Sequence, residues 1–303
     1  ELTATVQFSD GTQLRGASSA RTGVGPAEVI HASEVAAGDA EAARLCLPGS
    51  LTAEAADKIV LCERGLARQP GEPMLSHLLA AVLFAKGEIA PARSHIEASL
   101  ARRPDNAAAQ LLAARLARTG GEFDAALAHL DRAIALKPQR DAFVEKARTL
   151  ELAGRKAQAR EAWEAILKVI PEHQEANARL GRLAWEDGEL AKATSLLACA
   201  TASPAPASVW FDLGVARQDM RDHDGAANAY RKALEIKPDY AEAALNLGIA
   251  LQEDGKPDAA MQAFARAYGL RPQLFGSIAM ALTSASHGRL WLDERALRNA
   301  LAG

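Results

Sequence analysis

The chain has 303 residues, 49% hydrophobic but only 5% aromatic, and a formal charge of -3. This composition can bury a sizeable core, suits alanine- and leucine-rich helices better than a β-sandwich, and supplies no basic field for nucleic acid. No apolar run reaches the roughly 18 residues of a membrane helix. Cys46, Cys62 and Cys199 form no CxxC pair and read as thiols of a reduced protein. The first residue is Glu1 and not Met. A cytoplasmic location is favoured, and this start leaves a periplasmic one open.

Residues 1–38 form an N-terminal arm. Thr3–Phe8 alternates, Ser9-Asp10-Gly11-Thr12 is a turn signal, and Gln13–Arg15 could return as a second strand of a short hairpin; otherwise the arm is flexible. Residues 39–72 read as a helix pair. Asp39–Leu47 is broken from Leu51–Gln69 by Pro48-Gly49, and Thr52 is the candidate N-cap of the second helix.

From residue 73 onward the chain repeats itself. Pro104, Pro138, Pro171, Pro238 and Pro272 each close a basic or apolar stretch, at intervals of 34, 33, 67 and 34 residues. The long interval is two units with the intervening proline displaced. Six units follow: 73–106, 107–139, 140–173, 174–206, 207–240 and 241–274. Their eighth residue is small (Ala80, Ala114, Ala147, Gly181, Gly214, Gly248), and their twentieth is alanine throughout. Their twenty-fourth is large: Ile96, Leu130, Trp163, Leu197, Tyr230, Phe264. Small residues let two antiparallel helices approach, and the large one fills the space beside them. Gly87, Gly121, Gly154 and Gly255 stand at position 15, where a first helix would end in a left-handed residue.

This pattern resembles the tetratricopeptide repeat family. The fit is best over 207–240, through Trp210, Leu213, Gly214, Ala226, Tyr230, Ala233 and Pro238. The resemblance implies an all-α, right-handed solenoid of helical hairpins across 73–274. Ile166 at position 27, Ala205 in place of a proline, and Arg221-Asp222 where a glycine is usual depart from the pattern. A repeat cannot bury its apolar face alone, so 39–72 reads as an N-terminal capping hairpin. Residues 275–303 read as C-terminal capping helices: Phe275–Ser286, a turn at His287-Gly288, and a helix begun by Asp293. Trp291, Leu292, Ala296 and Leu297 are the expected seal.

Catalytic signatures are missing: there is no HExxH, P-loop, GxSxG or dinucleotide fingerprint. No catalytic residue, metal site or cofactor is expected. His95 and His129 share position 23 but have no third ligand at matching spacing. Asp222-His223-Asp224 reads as a polar turn at a helix start.

The resemblance places positions 2, 5, 9, 12 and 13 of each first helix on a concave groove, and one helical face does carry all five. Candidate groove residues are Phe84, Leu111, Arg115, Val144, Arg148, Arg182, Trp185, Phe211 and Gln218. Arg115, Arg148 and Arg182 stand at position 9 of consecutive units. They could meet acidic groups of a ligand, or pair with Glu145, Glu151 and Glu186 within the stack. The Lys and Asn pairing of the family's chaperone-binding clamp is missing. The expectation is a scaffold or adaptor, bacterial in composition, holding a protein or peptide with acidic groups. Two alternatives remain: a substrate-presenting region of a larger modifying enzyme, and a self-assembling protein whose N-terminal arm enters the next copy.

Overall fold

A computed structural model describes residues 2–7, 13–18, 55–284 and 294–302. The expectations for Asp39–Leu47, Thr52, His287-Gly288 and Trp291–Asp293 lie outside these residues. Strands β1 (Leu2–Gln7) and β2 (Gln13–Ser18) pair antiparallel, from Leu2 opposite Ser18 to Gln7 opposite Gln13. Fifteen α-helices follow among the described residues. Helix α1 is Ala55–Arg68. Six pairs come next: α2 (Pro73–Ala85) with α3 (Ile89–Arg102), α4 (Ala107–Thr119) with α5 (Phe123–Leu136), and α6 (Arg140–Leu152) with α7 (Lys156–Val169). The remaining pairs are α8 (Gln174–Glu186) with α9 (Leu190–Ala200), α10 (Ala207–Asp219) with α11 (His223–Ile236), and α12 (Ala241–Glu253) with α13 (Pro257–Leu270). Helices α14 (Phe275–Ser284) and α15 (Glu294–Ala302) end the chain. Two compact units, 1–159 and 160–303, divide it.

The same stop ends every first helix of a pair. In α2, Gly87 N–H donates to Phe84 O at 2.9 Å and Glu88 N–H to Leu83 O at 2.9 Å, with Gly87 at φ +80°. This two-bond cap needs a left-handed residue at its corner. Gly121, Gly154, Gly188 and Gly255 repeat it, and Arg221 supplies it at φ +60° without a glycine. Starts are less uniform. Asn106 Oδ1 accepts from the backbone N–H of Ala108 and Ala109 at 3.0 and 3.2 Å, whereas His173 caps α8 through Nδ1 at 3.2 Å from Ala176 N.

In the first unit Cys62, Leu79, Leu83, Ile96, Leu112 and Leu116 share a core, and α1 lies against α2 with Ile59 and Leu66 turned inward. Ser99, small at position 27, donates its hydroxyl to Pro73 O at 2.6 Å. In the second unit the glycines at position 8 mark where helices touch. A Cβ on Gly214 would stand 2.5 Å from the Tyr230 ring, one on Gly248 2.5 Å from the Phe264 ring, and one on Gly181 2.7 Å from Leu197 Cγ. Tyr230, Phe264 and Leu197 are all fully buried. Ile166, the large residue at position 27, is accommodated at 6% exposure.

The end of the second unit is sealed by α15, whose Leu297 and Leu301 join the core that contains Phe264 and Ile278. Ala296, expected to contribute, is exposed. Leu297 and Leu301 lie four residues apart and so stack on one helical face, while Ala296 is turned about 100° off that stripe. Arg298 pairs with Glu294 at 2.7 Å and lays its guanidinium over the Phe275 ring at 3.8 Å. No described helix is long and apolar enough to cross a membrane. Among the described residues no group of three or more His, Cys, Asp or Glu could hold a metal ion.

Candidate functional site

In the second unit, α8 and α10 set their first-helix faces side by side and enclose a pocket of about 640 Å³. Ala178, Arg182 and Trp185, one helical turn apart on α8, face Phe211 and Val215 of α10. These are the positions that the repeat phase assigns to the groove. The pocket thus brings together Arg182, Trp185 and Phe211. Gln218, the fourth candidate in this unit, is fixed from behind: its Oε1 accepts from the Tyr230 hydroxyl at 3.0 Å.

The floor is aromatic. The Phe211 ring lies 5.1 Å from Tyr240 and 5.7 Å from Tyr230, centroid to centroid. Trp185 forms a wall, 37% exposed, and its Nε1–H donates to Asp219 Oδ2 at 2.7 Å. That bond joins α8 to α10 and holds the indole in one orientation. Arg182 is 3.9 Å from Glu186, and Arg179 is 3.9 Å from Glu175. Both distances are at the loose limit of an ion pair. Asp212, half-buried in the same pocket, has its carboxyl pushed above the usual range by burial, against the pull of Arg182 and Arg179.

Tyr240 belongs to no first-helix face, and position counting alone missed it. It is the last residue of its unit, where the preceding units end in Asn106, Gln139, His173 and Pro206. An aromatic at that junction was the available signal. Burial, and the nearby carboxylates Asp212 and Glu242, raise its phenol above the ordinary value.

In the first unit the candidates behave differently. Phe84 and Leu111 are half-buried, and Val144 is only 7% exposed. Val144 is held in the packed interior, so its side chain offers little surface. Arg115 and Arg148 converge on Glu145, with N–O distances of 3.3 and 3.2 Å, and Arg118 joins them at 3.3 Å. Pairing within the stack is therefore present for Arg115 and Arg148, and for Arg182 through Glu186. Arg118 stands at position 12 of its unit, on the expected groove face, whereas Glu145 was expected only as a pairing partner of the arginines. Glu145 sits one place past a groove position, and only packing reveals that it is 5% exposed.

His129 Nδ1 lies 2.7 Å from Gln110 Oε1, while Gln110 Nε2–H donates to Pro104 O at 2.8 Å. This ties a second helix to the linker before its own unit, and burial lowers the His129 pKa.

Among curated proteins none matches the chain. Solved structures do. The APC/C hetero-tetramer Cut9–Hcn1 shares 15% identity at a TM-score of 0.55, covering 82% of this chain and 46% of that one. The chain therefore spans less than half the length of that relative. The C-terminal part of a repeat-containing protein from Cytophaga hutchinsonii shares 16% identity at a TM-score of 0.54, over 67% of this chain and 82% of that one. A MamA RS-1 double mutant shares 20% identity at a TM-score of 0.50, over 55% and 95%. At these identities the likeness is one of fold. The tetratricopeptide repeat model matches residues 77–141, 144–206 and 211–274, more than half of the sequence. With the six helix pairs in the same phase, the chain belongs to the tetratricopeptide repeat family.

Proposed function

We propose that the chain is a non-catalytic scaffold that holds a polypeptide segment along its first-helix faces, anchored in the pocket between α8 and α10. The observation that carries this reading is the pocket itself. Its lining combines the Phe211–Tyr240 floor and the Trp185 wall with the guanidiniums of Arg179 and Arg182. Aromatic side chains with few rotatable bonds give large contact area at low ordering cost, which suits an apolar anchor residue. The guanidiniums on the rim suit the polar groups of the flanking chain. Its charged groups are carboxylates facing guanidiniums, an arrangement that positions charge rather than activating a nucleophile.

The test is selection of a random peptide library on the intact chain, followed by fluorescence anisotropy with the enriched peptides. Phe211→Ala should weaken binding by about thirtyfold, the effect of losing a central aromatic anchor worth ~2 kcal/mol. Ile236→Ala, on an exposed side chain of α11, should leave it unchanged. Equal affinity for the wild type and Phe211→Ala, with helicity intact in both, would refute the reading.

A further inference from the structure

Phe211 and Asp212 are neighbours on α10, and both line the pocket between α8 and α10. Phe211 supplies part of the floor, and Asp212 sets a half-buried carboxylate beside it. The Tyr240 phenol is raised first by burial and next by the charge of Asp212, which places that charge at the aromatic end of the cavity. Among the described residues no hydrogen bond or ion pair engages Asp212, and Arg182 and Arg179 act on it through space. Polar groups around it are committed elsewhere. Trp185 Nε1–H donates to Asp219 Oδ2, and the Gln174 amide donates to Ala200 O at 3.0 Å and Pro204 O at 2.9 Å. A carboxylate partly stripped of water and lacking a donor is costly, and a ligand N–H or O–H would offset that cost.

Charge and shape decide which donor fits. The lining holds two basic residues, Arg179 and Arg182, and two acidic ones, Glu175 and Asp212, so its formal charge is zero. An incoming ammonium would meet two guanidiniums, and an incoming carboxylate would meet Asp212. A neutral donor meets neither penalty. The floor of Phe211 and Tyr240 and the wall of Trp185 suit an aromatic ring, because such rings gain from tilted and offset contacts with one another. A serine or threonine hydroxyl rides on too short a stem to fill a cavity of about 640 Å³. An indole carries its N–H on the flank of the ring. A phenol carries its donor at the far tip, which is the end that reaches the floor.

We propose that the pocket anchors a tyrosine of the bound polypeptide, its ring against Phe211, Tyr240 and Trp185 and its hydroxyl donating to Asp212. This inference rests on the polypeptide-binding reading above and names the anchor residue that the pocket selects. A purely apolar pocket would favour phenylalanine, which has no hydroxyl to desolvate. Asp212 reverses that order, since a hydrogen bond to an ionised acceptor is stronger than a neutral one.

The test uses the intact chain, immobilised, with five degenerate dodecapeptide pools that differ at one fixed central residue: tyrosine, O-methyltyrosine, phenylalanine, lysine or alanine. The tyrosine pool should be retained about tenfold or more over the phenylalanine pool. O-methyltyrosine keeps the ring and the oxygen but has no donor, and should fall to the phenylalanine level or below. On Asp212→Leu the order should reverse, with phenylalanine retained over tyrosine. If that variant does not fold, the comparison among pools on the unmutated chain decides. Phenylalanine retained as well as tyrosine, with both above alanine, would overturn the role of Asp212 while the aromatic anchor stands. Lysine retained above tyrosine would overturn the neutral-donor assignment. Equal retention of all five pools would overturn the pocket as an anchor, and with it the wider reading of this site.

Discussion

Gly248→Ala tests the packing rule that builds the repeats. Alanine is the better helix former by about 1 kcal/mol, so propensity alone predicts stabilisation of α12. The structure predicts the reverse. The new Cβ would lie 2.5 Å from both Cδ1 and Cε1 of Phe264 and 3.0 Å from its Cγ, and the ring is fully buried with nowhere to retreat. Overpacking of this kind costs ~1–3 kcal/mol, and contacts under 3 Å to a rigid ring belong at the upper end. The net is about 2 kcal/mol of destabilisation, confined to the α12–α13 pair. Because repeat arrays unfold locally, native-state hydrogen exchange is the assay, and amides of α12 and α13 should exchange about thirtyfold faster. Phe264→Leu should relieve the clash, since the first unit pairs Ala114 with Leu130 at the same two positions. The double variant should then be more stable than the sum of the two changes by ~1 kcal/mol or more. Unchanged or slower exchange in Gly248→Ala would refute the reasoning.

Three further outcomes follow from individual residues. Arg221→Gly should raise stability by about 1 kcal/mol in urea unfolding, because Arg221 holds φ +60° at a corner that five other repeats give to glycine. Asp212→Asn should become progressively more stable than the wild type as pH rises from the ordinary carboxyl range through the raised Asp212 pKa. The sign follows from linkage: a native carboxyl that holds its proton more tightly than the unfolded one loses stability as pH climbs through that window. Cys62, its thiol pushed up to about 11 mainly by burial and secondarily by Glu63, should react with iodoacetamide at pH 8 at least a hundredfold more slowly than the exposed Cys199. The difference should vanish in urea.

The repeat architecture was legible in the sequence because its signals are local or strictly periodic. Gly87 or Gly121 announces a left-handed corner in any context, and Gly248 with Phe264 is a spacing rule that recurs every unit. Where the local signal changed form, reading was harder. Arg221 takes the glycine conformation under tertiary constraint, and Gly188, also left-handed, was passed over although it stands at position 15 of its unit like the other corner glycines. The strand at Gln13–Ser18 runs three residues past the expected return, since pairing with β1 extends it through Gly16 and Ala17, residues with little strand preference of their own. The candidate site was half legible. Helical phase put Arg182, Trp185 and Phe211 on one face, and that face lines the pocket. The burial of Glu145 and Val144, the convergence of three arginines, and the part played by Tyr240 arise from contacts between helices about 30 residues apart. Single-position counting along one helix does not contain them.

The central claim is that a polypeptide lies against the first helices of the repeats. A photo-crosslinking amino acid placed at position 211, and in a separate chain at position 236, tests it directly with the peptides enriched by selection. The account predicts covalent capture from position 211 and background from position 236 on α11. Capture from position 236 equal to or greater than that from 211 would contradict it.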